Sequence, residues 1–197
     1  MNQTITAAFA EIPVCASVIG PTRVREFAEA AARVGILASI PVGQLPKIVP
    51  VLARLGKTVM VNIDSCPGLA TDRSGVDFLH EIGASGVVST RVAPLERARA
   101  LTMLSMHKVF VTDRSNLNRS VEAVKRSTPD LVELMPAPII PWMSEEARSA
   151  LSPFVAAGFV ADKSGVIHSL ATGALAAASS DSGLWSLTRA ELRQGAQ

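Results

Sequence analysis

Charged and hydroxyl-bearing residues in this chain collect where short apolar runs end, the distribution of a site assembled from strand ends. Asn62, Asp64 and Ser65 close the run that begins at Thr58. Ser89, Thr90 and Arg91 close the run from Gly86, and Thr112, Asp113 and Arg114 the run from Lys108. Glu133 lies inside the run Leu131–Met135, an expensive place for a carboxylate without partners, because an unpaired buried charge costs several kcal/mol. Arginine holds a phosphate or hydroxyl with its fork of donors, and carboxylates accept hydrogen bonds from hydroxyls. A ring of Asp64, Ser89, Arg91, Asp113 and Glu133 therefore suits a small hydroxylated phosphoester. The alternative reading pairs these groups with one another, Arg91 with Glu133 for example.

A phosphate grip is the second chemical feature. From Phe154 to Ser180 the chain reads as strand, turn, helix, strand and serine-rich turn. Turns at Ala157-Gly158-Phe159 and Ser179-Ser180-Asp181 fall where many (β/α)8 barrels aim backbone N–H groups at an anion. Gly158, Phe159, Ser179 and Ser180 are the candidate grip. Between them, Val166, Ile167, Leu170 and Ala171 have helical spacing over Lys163–Thr172, and Gly173 stands where a helix stops.

Groups for covalent or acid–base chemistry are poorly placed by the same reading. His80 and His168 fall within helical patterns, and His107 is expected before the fifth strand, at the opposite end from the site. Lys108 is expected to open that strand and Lys57 to precede the third, so no Schiff-base lysine is predicted. Cys66 reads as a packing thiol. Cys15 and Cys66 lack metal-ligand spacing, so no metal or other cofactor is predicted. Paired carboxylates without a nucleophile, lysine or metal favour binding over catalysis, and no catalytic residue is assigned.

The elements that would position these residues repeat along the chain. Apolar or β-branched runs are read at 14–19, 36–42, 58–63, 86–90, 108–112, 131–135, 154–157 and 174–178, alternating with helical patterns such as Val24, Phe27, Ala31 and Val34. Eight near-continuous apolar runs joined by helical crossovers predict a compact TIM-barrel-like (β/α)8 fold of the α/β class. An open doubly wound sheet would call for a glycine fingerprint after the first strand, where VIGPTR offers only Gly20. The least regular unit is Pro136–Ser152. Its run PAPIIP removes backbone donors and is expected to stay non-helical until about Ser144, which would cap a helix beginning SEEA.

The chain has 197 residues, 48% hydrophobic and 18% charged, which predicts one domain over 1–197, with 1–12 and 189–197 as loosely ordered ends. No apolar run reaches the roughly 20 residues of a membrane helix. The first basic residue is Arg23, so no positive region of a signal peptide precedes the apolar start, and a cytoplasmic location is expected. A net charge of +2 with no basic cluster and no Tyr permits contact with nucleic acid without demanding it.

These residues, taken in order, resemble the glycerol-3-phosphate-responsive antiterminators, the GlpP type. The resemblance rests on VNIDSCPGL (61–69), GVDFLHEIGASGVVSTR (75–91), KVFVTDRS (108–115), PDLVELMP (129–136), AAGFV (156–160), GALAAASS (173–180) and LW (184–185). It implies a TIM-barrel-like fold, glycerol 3-phosphate as ligand, and action on the leader mRNA of glycerol-use genes so that a terminator no longer stops transcription. Asp64, Ser89-Thr90-Arg91, Asp113 and Glu133 stand at the family's motif positions. This chain has Asn62, Arg91, Lys108 and Ala157 where the family's usual pattern has His, Lys, Arg and Gly, and its MPAPIIPWM segment carries an extra Pro138 and places Trp142 near the family's basic residue. The alternative function is a small TIM-barrel enzyme acting on a triose or glycerol phosphate.

Overall fold

A computed structural model describes residues 3–194. Strands β1 (Val14–Ile19), β2 (Val34–Ala38), β3 (Thr58–Asn62), β4 (Gly86–Ser89), β5 (Leu104–Phe110), β6 (Leu131–Met135), β7 (Phe154–Ala157) and β8 (Ala176–Ser179) form the sheet. Each pairs in parallel with the next, and β8 pairs with β1, so the sheet is a closed eight-stranded barrel as expected. Helix α1 (Gln3–Ala8) precedes the barrel. Helices α2 (Val24–Glu29), α3 (Leu45–Arg54), α4 (Arg73–Glu81), α5 (Val92–Ala100), α6 (Arg114–Ser127), α7 (Glu145–Ala150) and α8 (Lys163–Ala171) surround it, and α9 (Arg189–Gln194) follows.

Helix starts are fixed by short polar side chains that accept the first free amides. Asp72 accepts from Gly75 N, Asp113 from Asn116 N, Ser144 from Ala147 N and Asp162 from Gly165 N. The strand alternation divides the core in two. Val34, Ile36, Met60, Val88, Met106, Leu131 and Val155 fill the barrel interior, whereas the residues between them pack outward against the helices.

The described parts of the chain ends pack against the barrel. Ile5 and Phe9 of the amino-terminal segment are buried with the interior cluster and stopper the barrel's amino-terminal end. Arg189 closes the other end of the chain onto them: its N–H donates to Glu11 O at 2.9 Å and its guanidinium to Leu175 O at 3.1 Å. Ile5, Phe9 and Leu192 are buried there, and removing such apolar side chains from water favours these contacts. The remainder of those ends, 1–2 and 195–197, lies outside the described residues.

Three element boundaries also move. Strand β2 begins at Val34, two residues before the expected Ile36, and β8 begins at Ala176, because its alanine-rich run gives no period from which to place its start. Strand β5 begins at Leu104, four residues before the expected Lys108. The polar residues that obscured it are satisfied by neighbours: Ser105 Oγ donates to Asp130 at 2.9 Å, and His107 Nδ1 meets Ser127 Oγ at 2.7 Å. The segment Ala137–Trp142, expected to be non-helical, is a 3-10 helix. Its i→i+3 bonds, Ile139 N to Pro136 O and Met143 N to Ile140 O, use none of the nitrogens that proline removes.

Candidate functional site at the barrel mouth

Parallel register decides which side chains meet inside the barrel. Lys108 on β5 stands directly beside Glu133 on β6, and both point inward because their neighbours point to the helices. Lys108 Nζ lies 3.2 Å from Glu133 Oε2, with the two side chains 18% and 4% exposed. Despite that approach, no described group gives Oε2 a hydrogen bond of good geometry, although it is fully buried. Burial pushes the Glu133 carboxyl above the usual carboxylate range, and Lys108 partly offsets this. The Lys108 ammonium also sits 5.7 Å from the centre of the Phe110 ring. The sequence reading that placed Lys108 at the wrong end of its strand is therefore corrected: the strand starts earlier, and the lysine is inside it. Glu133 pairs with Lys108 and not with Arg91.

Linkage gives this carboxyl a sign. Its folded pKa is raised, so between the ordinary carboxylate value and the raised value the folded state holds a proton that the unfolded state has lost, and stability falls as pH rises through that window. Denaturation midpoints measured from mildly acidic to neutral pH should show this component, and Glu133→Gln should flatten it. An unchanged slope in the variant would contradict the assignment.

Above the pair the barrel opens into a cavity of about 200 Å³ lined by Ser17, Asn62, Lys108, Glu133 and the turns after β7 and β8. That is below the roughly 300–1,000 Å³ of pockets for drug-sized ligands, which limits the mouth to a small molecule. Gly158, Phe159, Ser179 and Ser180, the expected grip, all line it. Gly158 and Phe159 both take the left-handed conformation, with φ of 80° and 60°. Phe159 is 84% exposed, so no packing of its ring accounts for a conformation that costs a non-glycine residue about 1–2 kcal/mol. Ser179 Oγ donates to Val160 O at 2.6 Å and accepts from Asp181 N at 3.0 Å, stapling the two turns together. Arg23 donates to Ser180 O at 2.8 Å and brings a guanidinium to the rim. Sequence reasoning missed Arg23, although it stands in VIGPTR immediately after β1.

With this geometry the comparisons with known proteins become specific. Residues 14–185 match the model of the family described as glycerol-3-phosphate responsive antiterminator. The chain belongs to that family. YgcP of Escherichia coli K12 is 26% identical over 149 residues, covering 74% of this chain and 76% of the relative. The glycerol uptake operon antiterminator regulatory protein of Listeria monocytogenes superposes with a TM-score of 0.79 at 26% identity, over 87% of this chain and 94% of that one. A glycerol uptake operon antiterminator-related protein of Thermotoga maritima shares the fold, with a TM-score of 0.75 at 20% identity over 89% of this chain and 98% of that one.

Four of the family-motif residues expected around the ligand stand outside the mouth. The Asp64 carboxylate accepts from Ser89 Oγ (2.9 Å), Thr90 N (2.7 Å) and Thr90 Oγ1 (2.9 Å). It ties the ends of β3 and β4 together. Arg91 is exposed and donates to Thr71 Oγ1. Asp113 caps α6, and the Asn116 amide, with Thr112 Oγ1 and Ser115, holds its carboxyl below the usual range. None of Asp64, Ser89, Arg91 and Asp113 lines the cavity. In their place the structure brings in Ser17, Asn62 and Lys108. Asp64→Asn should cost about 1–3 kcal/mol in a denaturant titration, through the hydrogen bonds it loses, while leaving the affinity of the mouth within about twofold. A large loss of ligand affinity in a stably folded variant would return Asp64 to the site.

His107, expected before its strand, lies within β5, buried and facing α6. Burial lowers its pKa, opposed by the Thr90 backbone and Asp64, and its contact with Ser127 Oγ places the ring on the helix side of the strand, outside the lumen. Cys66 is packed in the outer core, as a small apolar side chain would be. Among the described residues no group of three or more His, Cys, Asp and Glu is placed to hold a metal ion, and no helix is long and apolar enough to cross a membrane. A larger cavity, about 590 Å³, opens outside the barrel between the 3-10 segment, α7 and α8. Its titratable groups, Arg148, Asp162 and His168, are exposed or half-exposed, so it lacks the buried charges that distinguish the mouth.

Proposed function

We propose that this protein is a ligand-responsive regulator of the antiterminator type, which binds glycerol 3-phosphate at the barrel mouth and acts on the leader mRNA of glycerol-use genes. Family membership over residues 14–185 carries this reading. The mouth supports it in two ways: its size suits a small metabolite, and it sets a buried charge pair beneath two turns of the kind that hold phosphate. The phosphate would sit against the backbone of Gly158–Phe159 and Ser179–Ser180, near Arg23, and the glycerol hydroxyls would reach down to Lys108, Glu133 and Asn62. Occupancy would favour one arrangement of the Gly158–Val160 turn, since a ligand shifts a conformational equilibrium only through unequal affinity for its states. Phosphate contacts to RNA would come from exposed basic residues such as Arg114, Arg119, Lys125 and Arg126 on α6.

The test is binding to the leader RNA of a glycerol-use operon with and without glycerol 3-phosphate, across a series of salt concentrations. Tighter binding with the ligand, weakening as salt rises, is the expected result. Equal binding in both conditions would overturn the regulatory reading.

One observation favours a second reading. A lysine inside a barrel beside a carboxylate can form an imine with a carbonyl substrate, so an enzyme acting on a triose phosphate is the alternative. Borohydride treatment with a keto- or aldehyde phosphate would leave a covalent adduct on Lys108 under that reading and none under the first.

A further inference from the structure

The outer cavity of about 590 Å³ lies where two neighbours in the helix ring do not close on one another. Elsewhere arginines lace the ring: Arg97 on α5 donates to Asp77 on α4 at 2.6 Å, and Arg99 on α5 to Ser127 O on α6 at 3.2 Å. Helix α7 has only six residues and follows the proline-bearing 3-10 segment, so this unit offers α8 less surface to pack on. Arg148 of α7 lines the resulting gap opposite α8. Among the described residues its guanidinium joins neither an ion pair nor a hydrogen bond. The one acid of the lining, Asp162, is already engaged, since its Oδ1 accepts from Gly165 N at 2.7 Å to start α8.

Pro138, Pro141 and Ala171 give this cavity apolar walls, and His168 and Ser164, 3.3 Å apart on α8, add exposed polar atoms. Its volume falls within the roughly 300–1,000 Å³ of small-molecule pockets, which pair apolar walls with a few convergent polar groups. The charge complement selects the class of ligand. A single guanidinium fork matches the two oxygens of one carboxylate. A phosphate dianion would bring a second negative charge beside Asp162. We propose that the cavity between the 3-10 segment, α7 and α8 is a second binding site, for a small amphipathic carboxylate that sets its anion on Arg148 and its apolar body against Pro138, Pro141 and Ala171. The site does not depend on what fills the mouth. Phe159 and Val160 line both cavities, so the occupant of the outer one touches the turn that borders the mouth, as an effector of the first site would.

Titrations followed by amide proton–nitrogen correlation spectra of the isotope-labelled full chain test this with three probes. 2-Naphthoate carries both parts of the ligand, 2-naphthamide the apolar body without the charge, and acetate the charge without the body. 2-Naphthoate should shift amides between Gly158 and Thr172 saturably and bind at least about tenfold more tightly than either of the others, the worth of one charge-assisted hydrogen bond or of the buried ring. In Arg148→Gln its affinity should fall by at least about tenfold, while that of 2-naphthamide stays within about twofold. No saturable shift, 2-naphthamide or acetate binding as tightly as 2-naphthoate, or an unchanged affinity in a folded Arg148→Gln would each overturn the proposal. Shifts of the same amides with protein concentration, accompanied by a dimer in sedimentation and no response to 2-naphthoate, would give the cavity to a second copy and overturn it too. Should Arg148→Gln fail to fold, the comparison of 2-naphthoate with 2-naphthamide on the wild type decides alone.

Discussion

Lys108→Met should destabilise the protein by about 3–5 kcal/mol at neutral pH and abolish binding at the mouth, because it leaves the buried Glu133 carboxylate without its counter-charge. The asymmetry of buried pairs makes this a sharp prediction. Removing one partner strands a charge, whereas removing both often costs little when the replacements pack well. The double variant Lys108→Met with Glu133→Leu should therefore recover most of the lost stability in a denaturant titration without recovering ligand binding. The single variant should also weaken further as pH rises, since burial already favours the protonated carboxyl in the folded state and the lysine no longer opposes it. A Lys108→Met protein within about 1 kcal/mol of wild type would mean that Glu133 is solvated or protonated at neutral pH.

Gly75→Ala should be comparably damaging for a steric reason. A Cβ at that position would stand 1.8 Å from the backbone oxygen of Ala70 and 3.2 Å from the Ile63 side chain, and a backbone atom cannot swing away as a side-chain tip can. The same residue donates its N–H to Asp72 at 3.1 Å to start α4, so relief of the clash would break the cap. The loop between β3 and α4 also carries Asp64, which ties the ends of β3 and β4 together. A loss of about 3 kcal/mol or more is expected, seen as a fall in Tm of roughly 6–12 °C for a domain of this size. A smaller shift would show that the loop relaxes independently of the barrel.

Much of the fold could be read from the chain because each unit repeats the same physical pattern. A short apolar run buried on both faces is followed by a polar turn, a cap such as Asp72 or Asp162, and a helix with one apolar face. What could not be read were strand limits where the pattern is locally broken. β5 was misplaced because Ser105, His107 and Lys108 look like a loop until Asp130, Ser127 and Glu133 are seen to satisfy them from elements about 20 to 25 residues away. That single displacement hid the lysine of the mouth. The turns at Gly158 and Ser179–Ser180 were legible as turns, since glycine and serine after the last two strands announce themselves locally. The carboxylates were legible as polar residues at strand ends, but not their roles. Whether an aspartate faces a ligand or caps a helix depends on the direction of one side chain, and the N-cap signal at Asp113 and the three donors around Asp64 became apparent only in three dimensions. The contacts of the chain ends were not legible for a related reason. The burial of Ile5 and Phe9 is conferred by the barrel they close, not by their own short helix.

The central claim, that the mouth above Lys108 and Glu133 holds glycerol 3-phosphate as a whole molecule, is tested most directly by titrating the purified chain with glycerol 3-phosphate, glycerol and inorganic phosphate in a calorimeter. Saturable one-to-one binding of glycerol 3-phosphate, at least tenfold tighter than either fragment and lost in Lys108→Met, is the predicted result. Inorganic phosphate binding as tightly as glycerol 3-phosphate, or glycerol 3-phosphate binding unchanged in Lys108→Met, would contradict it.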